Sequence, residues 1–271
     1  MTRNWAKLSE VAQRKLTPML RQYLEAKAES GESLLFFRMG DFYELFFEDA
    51  VEASKILGLT LTSRDGAEKD ERVPMAGVPV RAVDGYIARV IKAGRTVTIC
   101  EQVEDPKDAK GVVKRAVTRT ITPGTVIEPT LLDEAVNNYL AAFHVVGGKA
   151  GLAFVDITTG EFLVAQVDGD AERVLVDELT RMAPSEVIYT SAIPSDLVAM
   201  LRTRFAEISF AERCDDEFEV AQARERLLDE FEVATLKGVE LDNAPEALAC
   251  AGAVLGYIKA MQRDTVPHLR M

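Results

Sequence analysis

Ten residues, Phe37-Arg38-Met39-Gly40-Asp41-Phe42-Tyr43-Glu44-Leu45-Phe46, constrain this chain more than any other stretch. They continue the short apolar run Leu34-Leu35-Phe36-Phe37, which reads as a strand. Gly40 marks a turn or bulge, a place where backbone can come close to a ligand. In an extended segment, residues two apart share a side, so Phe42 and Glu44 project together and Tyr43 faces the other way. An apolar wedge beside a hydrogen-bonding carboxyl suits prying into a base stack. The same spacing also suits, and taken alone favours, Phe42 and Phe46 as core residues with Glu44 solvated, because aromatics are more often core than tool.

A length of 271 residues predicts about two domains. The 48% hydrophobic and 28% charged content is that of a globular protein. No run of about 18 apolar residues suggests a membrane span, and the first residues lack an apolar signal core. Cys100, Cys214 and Cys250 are odd in number and far apart, which fits a reduced, cytoplasmic chain. The net charge of −12 is unevenly spread: residues 1–120 hold 20 basic against 18 acidic residues, and residues 121–271 hold 12 against 26. Only the first part has a balance that permits a DNA-binding face.

Along the chain, Thr17-Pro18 reads as an N-cap with proline at the first helical position. Met19, Leu20, Tyr23 and Leu24 give that helix an apolar face up to Gly31. A second helix runs to Gly58, and Leu59-Thr60-Leu61-Thr62 is β-like. Arg64 to Arg72 is a charged loop, and the two prolines and glycine of Val73–Pro79 predict irregular structure. A helix over Val83–Ile91 and a strand over Thr96–Cys100 complete a small α/β domain. Lys107, Lys110, Lys114, Arg115 and Arg119 form either a solvated loop or hairpin edge, or a phosphate-contacting surface. Residues 121–136 read as a linker. Three antiparallel strands follow over 139–167. Helices near 171–182 and 197–205 then alternate with strands at 186–189 and 208–210, and a final helix spans Pro245–Arg263.

Catalytic constellations are sparse. No P-loop pattern is present, and His144 and His268 share no metal-ligand spacing with the cysteines. Asp156, mid-strand, could hold a metal as in an RNase H-like nuclease, with Glu161 and Glu178 as further ligands. The simpler reading is a carboxylate ordering the Thr158-Thr159-Gly160 turn.

The ten-residue stretch resembles the mismatch-reading motif of the MutS family of bacterial DNA mismatch repair proteins. Thr17-Pro18-Met19, Pro74-Met75-Ala76-Gly77-Val78-Pro79, Ile99-Cys100-Glu101-Gln102 and Arg119-Thr120-Ile121-Thr122-Pro123-Gly124-Thr125 follow in that family's order. So do Asp156-Ile157-Thr158-Thr159-Gly160-Glu161, Asp242-Asn243-Ala244-Pro245 and Gln262-Arg263-Asp264-Thr265-Val266-Pro267-His268-Leu269. The resemblance implies an α/β chain with a mismatch-binding domain over 12–125 and an RNase H-like connector domain over 135–255. Residues 256–271 would start an α-helical lever or core domain.

By the same resemblance, Phe42 stacks on a mispaired or looped-out base from the minor groove and Glu44 hydrogen-bonds it. Arg38, Met39, Met75, Lys110, Lys114 and Arg115 are secondary candidates for backbone or base-step contact. The implied partners are mismatched double-stranded DNA, MutL through the connector, and a second copy in the full-length family. The implied location is cytoplasmic, at the nucleoid. ATP and Mg2+ belong to an ATPase domain outside these 271 residues, so no enzyme activity is expected of this chain. Two rival readings remain: a connector-type protein interaction fragment that never meets DNA, and a nuclease acting through Asp156.

Overall fold

A computed structural model describes residues 17–65, 72–105, 107, 111–128, 132, 136–263 and 269–270. The chain divides into two compact units, 1–121 and 122–271.

The first unit is built on a six-stranded mixed sheet in the order β3-β4-β2-β1-β5-β6. Its strands are β1 (Leu34–Met39), β2 (Phe42–Phe46), β3 (Thr62–Asp65), β4 (Arg72–Pro79), β5 (Val97–Gln102) and β6 (Arg115–Ile121). Only β1 and β5 run parallel; the other neighbours are antiparallel. Helix α1 (Pro18–Ser30) begins as its sequence predicts, with the Thr17 hydroxyl accepting from the Leu20 N–H and proline in the first turn. Its Leu20, Tyr23 and Ala26 pack on Leu35, Phe37, Phe46, Val73, Cys100 and Val117, all on one sheet face. The alternate residues Leu34, Phe36, Tyr43, Leu45, Val78 and Ile99 are also buried. They line the other face, against which α2 (Phe47–Leu57) and α3 (Val83–Lys92) pack.

The expectation of irregular structure over Val73–Pro79 is wrong, because β4 is a strand paired on both sides. Its prolines sit where a ladder tolerates them. The β2 pairing reaches only from Met75 to Pro79, so Pro74 lies past the end of one neighbour, and Pro79 is the last residue of the strand. The third strand also starts at Thr62, later than the β-like run predicts, and takes in the start of the expected charged loop.

The second unit has a five-stranded sheet in the order β11-β10-β7-β8-β9. The meander β7 (Tyr139–Val146), β8 (Lys149–Asp156) and β9 (Glu161–Asp168) is joined by parallel strands β10 (Glu186–Tyr189) and β11 (Ser209–Glu212). On one face α4 (Ala171–Met182) and α5 (Ser195–Arg204) cover Tyr139, Ala141, Phe143, Phe154 and Val187. On the other, α6 (Val220–Glu230) and α7 (Pro245–Gln262) cover Leu140, Ala142, Ala153, Val155 and Ile188.

Helix α7 is buried nearly all round, and its small residues let neighbours approach. A Cβ at Gly252 would overlap Ala223 of α6, and one at Gly151 of β8 would overlap the Glu246 backbone. Tyr257, Ile258 and Gln262 stay buried in this unit, so no break appears at residue 256.

Thr122–Val126, expected as the start of a linker, is also buried here. The Glu186 carboxylate accepts from the Thr122 hydroxyl (2.5 Å), the Gly124 N–H (3.0 Å) and the Tyr257 hydroxyl (2.9 Å). Among the described residues no helix is long and apolar enough to cross a membrane.

Candidate nucleic-acid interface

The signature stretch folds as a hairpin. Met39 pairs with Phe42, Arg38 with Tyr43 and Phe37 with Glu44. On its other side β2 pairs Phe42 with Pro79, Glu44 with Gly77 and Phe46 with Met75. Phe37, Met39, Phe42, Glu44, Met75 and Gly77 therefore share the face that α1 covers further along. Phe46 and Phe37 are fully buried in that core, but Phe42 is 47% exposed. The two aromatics that spacing could not tell apart thus take different roles, and Phe42 is no core residue.

Glu44 is half-buried. Its Oε2 lies 3.0 Å from Nη1 of Arg64 on β3. Burial raises its carboxyl above the usual range, against the opposing effect of Arg64 and, more weakly, Arg115. Gly77 leaves space beside the pair: a Cβ there would sit 3.9 Å from both Phe42 Cδ1 and Glu44 Cγ. An exposed ring, a half-buried carboxyl and the space at Gly77 beside them can accept a flat, hydrogen-bonding group.

The other candidates are dispersed. Arg38 is on the opposite face, where its Nε donates to the Gly40 carbonyl (2.5 Å) and its Nη1 lies 3.6 Å from Glu101. Tyr43, beside it, donates to Glu101. Burial and that bond push its hydroxyl up to about 12. Together they brace the hairpin from behind. Met39 and Met75 are partly buried against the α1 core.

Arg115 shares the Phe42 face but works inside the fold. It donates to the Arg38 carbonyl (2.6 Å), Gln22 (3.0 Å) and the Val113 carbonyl (2.9 Å), with its guanidinium 4.9 Å above the Phe37 ring. Lys114 is exposed, and Lys110 lies outside the described residues. Sequence reasoning missed Arg64, which it placed in a loop, and it quoted Gly77 only as part of a motif.

The nuclease set does not assemble. Asp156 is fully buried; its Oδ1 accepts from the Thr158 N–H (2.9 Å), the Thr158 hydroxyl (2.6 Å) and the Thr159 N–H (3.3 Å). Its Oδ2 accepts from the Asn138 N–H at 3.3 Å. Glu161 instead accepts from Tyr139 and Asn137, and Glu178 pairs with Arg181. Among the described residues no three His, Cys, Asp or Glu side chains could hold a metal ion.

A family model described as MutS domain I matches residues 17–130, and one described as MutS domain II matches residues 138–270. The DNA mismatch repair protein MutS of Desulfatibacillum aliphaticivorans is 44% identical over 256 residues, covering 94% of this chain and 28% of the relative. That of Symbiobacterium thermophilum is 43% identical over 258 residues, covering 94% and 29%. That of Ruminiclostridium cellulolyticum is 44% identical over 259 residues, covering 94% and 29%. The chain thus spans 28–29% of the length of these curated relatives.

A crystal structure of Fowlpox virus resolvase with a substrate Holliday junction DNA aligns with 45% of this chain and 97% of that chain. At 14% identity and a TM-score of 0.33 the likeness is too slight to bear on the fold. The two domain matches stand in order and span most of the sequence, and the chain belongs to the MutS family.

Proposed function

We propose that this chain reads mispaired or looped-out bases for DNA mismatch repair, with the first unit as the reader. The observation that carries the reading is Phe42, an aromatic held 47% exposed at a hairpin end beside a half-buried carboxyl. A mismatched base has already lost part of its pairing and stacking, so a ring wedged beside it from the minor groove costs less than at a paired step. Discrimination then comes from deformability, and one side chain serves many mispairs. Glu44 hydrogen-bonds the wedged base. Close to phosphates its carboxyl is driven further toward the protonated form, which donates to a base acceptor.

The name shared by the relatives, DNA mismatch repair protein MutS, supports this reading. We assign mismatched DNA as the first unit's partner and MutL as the second unit's. Lys114 supplies a phosphate contact, Lys110 is assigned the same role from its sequence alone, and pairing with a second copy is assigned to the full-length family. The test compares binding to a homoduplex and to a duplex with one unpaired base, for the wild type and Phe42→Ala. Wild-type preference for the unpaired base, lost in the variant, is expected. Equal binding of both duplexes by the wild type overturns the reading and leaves a protein interaction fragment.

A further inference from the structure

Glu44 and Arg64 differ in one respect that matters for a reader of bases: the glutamate side chain is 19% exposed and the arginine side chain 43%. Arg64 is on β3, the edge strand of the first sheet. Among the described residues, the only hydrogen-bond or ion-pair partner of its side chain is Glu44. A guanidinium has five donors in a fixed fork, so most of this one is unused. The arginine can leave the pair toward solvent, and the glutamate cannot.

Two charged groups act on Glu44, Arg64 from β3 and Arg115 from β6. The residues opposite it on β1 and β4, Phe37 and Gly77, carry no charge. Arg115 is held by the Arg38 carbonyl, the Val113 carbonyl and Gln22, the last an uncharged side chain of α1. Arg64 is therefore the more exposed and less constrained of the two cations that act on Glu44.

We infer that Arg64 is a counter-ion shared between Glu44 and the DNA backbone: it holds the carboxylate in the free protein and transfers to a phosphate when a duplex seats. The inference rests on the proposed reading of mismatched DNA. Duplex DNA carries one negative charge per roughly 1.7 Å of axis, and a phosphate accepts a guanidinium through two parallel bonds where Glu44 takes one. Transfer leaves a half-buried carboxylate without its nearest cation and close to anions. Both changes favour uptake of one proton from solvent onto the carboxylate. The neutral acid then has the O–H that a base acceptor needs. Phosphate contact and base reading become linked through one side chain, which discharges Glu44 only where DNA is bound.

The test has two arms. In the free protein, the Glu44 carboxyl carbon is titrated by NMR in the wild type and Arg64→Gln. The midpoint is expected to rise in the variant, and an unchanged midpoint overturns the inference without any DNA. In the second arm, both proteins and Arg64→Lys bind the homoduplex and the single-base-loop duplex across pH and salt. Wild-type binding of the loop duplex should take up as much as about one proton, so affinity falls by up to about tenfold per pH unit. Arg64→Gln should take up a smaller fraction, with its salt slope lower by about one. Arg64→Lys, which keeps the charge, should restore the salt slope.

If the wild type discriminates between duplexes while Arg64→Gln keeps both its proton uptake and its salt slope, the exchange fails and the reading stands. If the wild type does not discriminate, the reading fails and the exchange fails with it.

Discussion

Met39 and Phe42 stand opposite each other where β1 ends and β2 begins, so only Gly40 and Asp41 form the turn between them. Gly40 has φ +62°, a positive value at the first of two turn positions, where type II′ hairpins take glycine. The Asp41 carbonyl accepts from the Val80 N–H at 2.9 Å, which ties the turn to the end of β4. The exposed ring of Phe42 is thus aimed by backbone geometry. Gly40→Ala meets no neighbour, so its effect is backbone strain alone, about 1–2 kcal/mol for a left-handed L-residue. Urea unfolding should show a loss of that order, and binding to a single-base-loop duplex should weaken relative to homoduplex.

Gly77 offers a cleaner separation of fold from reading. A Cβ there would contact Tyr43 O at 3.6 Å and Phe42 and Glu44 at 3.9 Å, which is ordinary van der Waals contact. Gly77→Ala should leave stability unchanged or raise it by about 0.5 kcal/mol, by restricting the unfolded chain. The same methyl fills the space beside Phe42 and Glu44, so mismatch preference should fall. Unfolding midpoints and duplex binding on one protein sample check both signs. A variant that discriminates as well as the wild type would remove this gap from the reading surface.

Under the Phe42 face lies a buried ion pair, Lys27 Nζ to Asp49 Oδ2 at 2.9 Å, with side chains 2% and 0% exposed. Asp49 also accepts from the Leu35 N–H (3.0 Å) and the Tyr23 hydroxyl (3.2 Å), so one carboxylate joins α1, β1 and α2. Burial raises the Asp49 carboxyl, and the Lys27 ammonium opposes this. Lys27→Met leaves a buried carboxylate without its cation, a change that costs about 3–5 kcal/mol. Adding Asp49→Asn should recover part of that loss. Unfolding free energies of the two single variants and the double variant would show the coupling, and simple additivity would contradict it.

How much of this was legible in the sequence depended on whether a signal was local. Gly31, Gly58 and Gly94 stop α1, α2 and α3 as their sequence positions suggest, and all three have positive φ. The alternation of Tyr139, Ala141 and Phe143 with Leu140 and Ala142 divides cleanly between the two faces of the second sheet. Strand β4 was hidden because Pro74, Gly77 and Pro79 are breakers unless the end of β2 is known. Helix α6 received no prediction. Only Ala223 and Leu227 are buried in it, and Arg224, Glu225, Arg226, Asp229 and Glu230 mask that spacing. At the site, Phe42 and Glu44 share a side by period two alone. The Arg64 pairing needs the register of three strands across 20 residues. Arg115 looks like its lysine neighbours until its bonds to the Arg38 carbonyl and Gln22 are seen.

The second unit makes its own test through Glu186, which is 1% exposed and receives three hydrogen bonds from Thr122, Gly124 and Tyr257. Burial raises its carboxyl above the ordinary value of 4.5, with those bonds and the nearby Arg213 opposing. The folded chain therefore holds more protons than the unfolded chain between the ordinary and the raised value. Stability from this group is complete below the ordinary value and is lost as pH rises through the raised one. Glu186→Gln keeps an acceptor for Thr122 and Gly124, and its amide can donate to the Tyr257 oxygen, with no charge to bury. Urea midpoints measured from about pH 5 to pH 8 should show the glutamine variant gaining on the wild type as pH rises. Parallel pH profiles for the two proteins would mean that Glu186 carries no such cost.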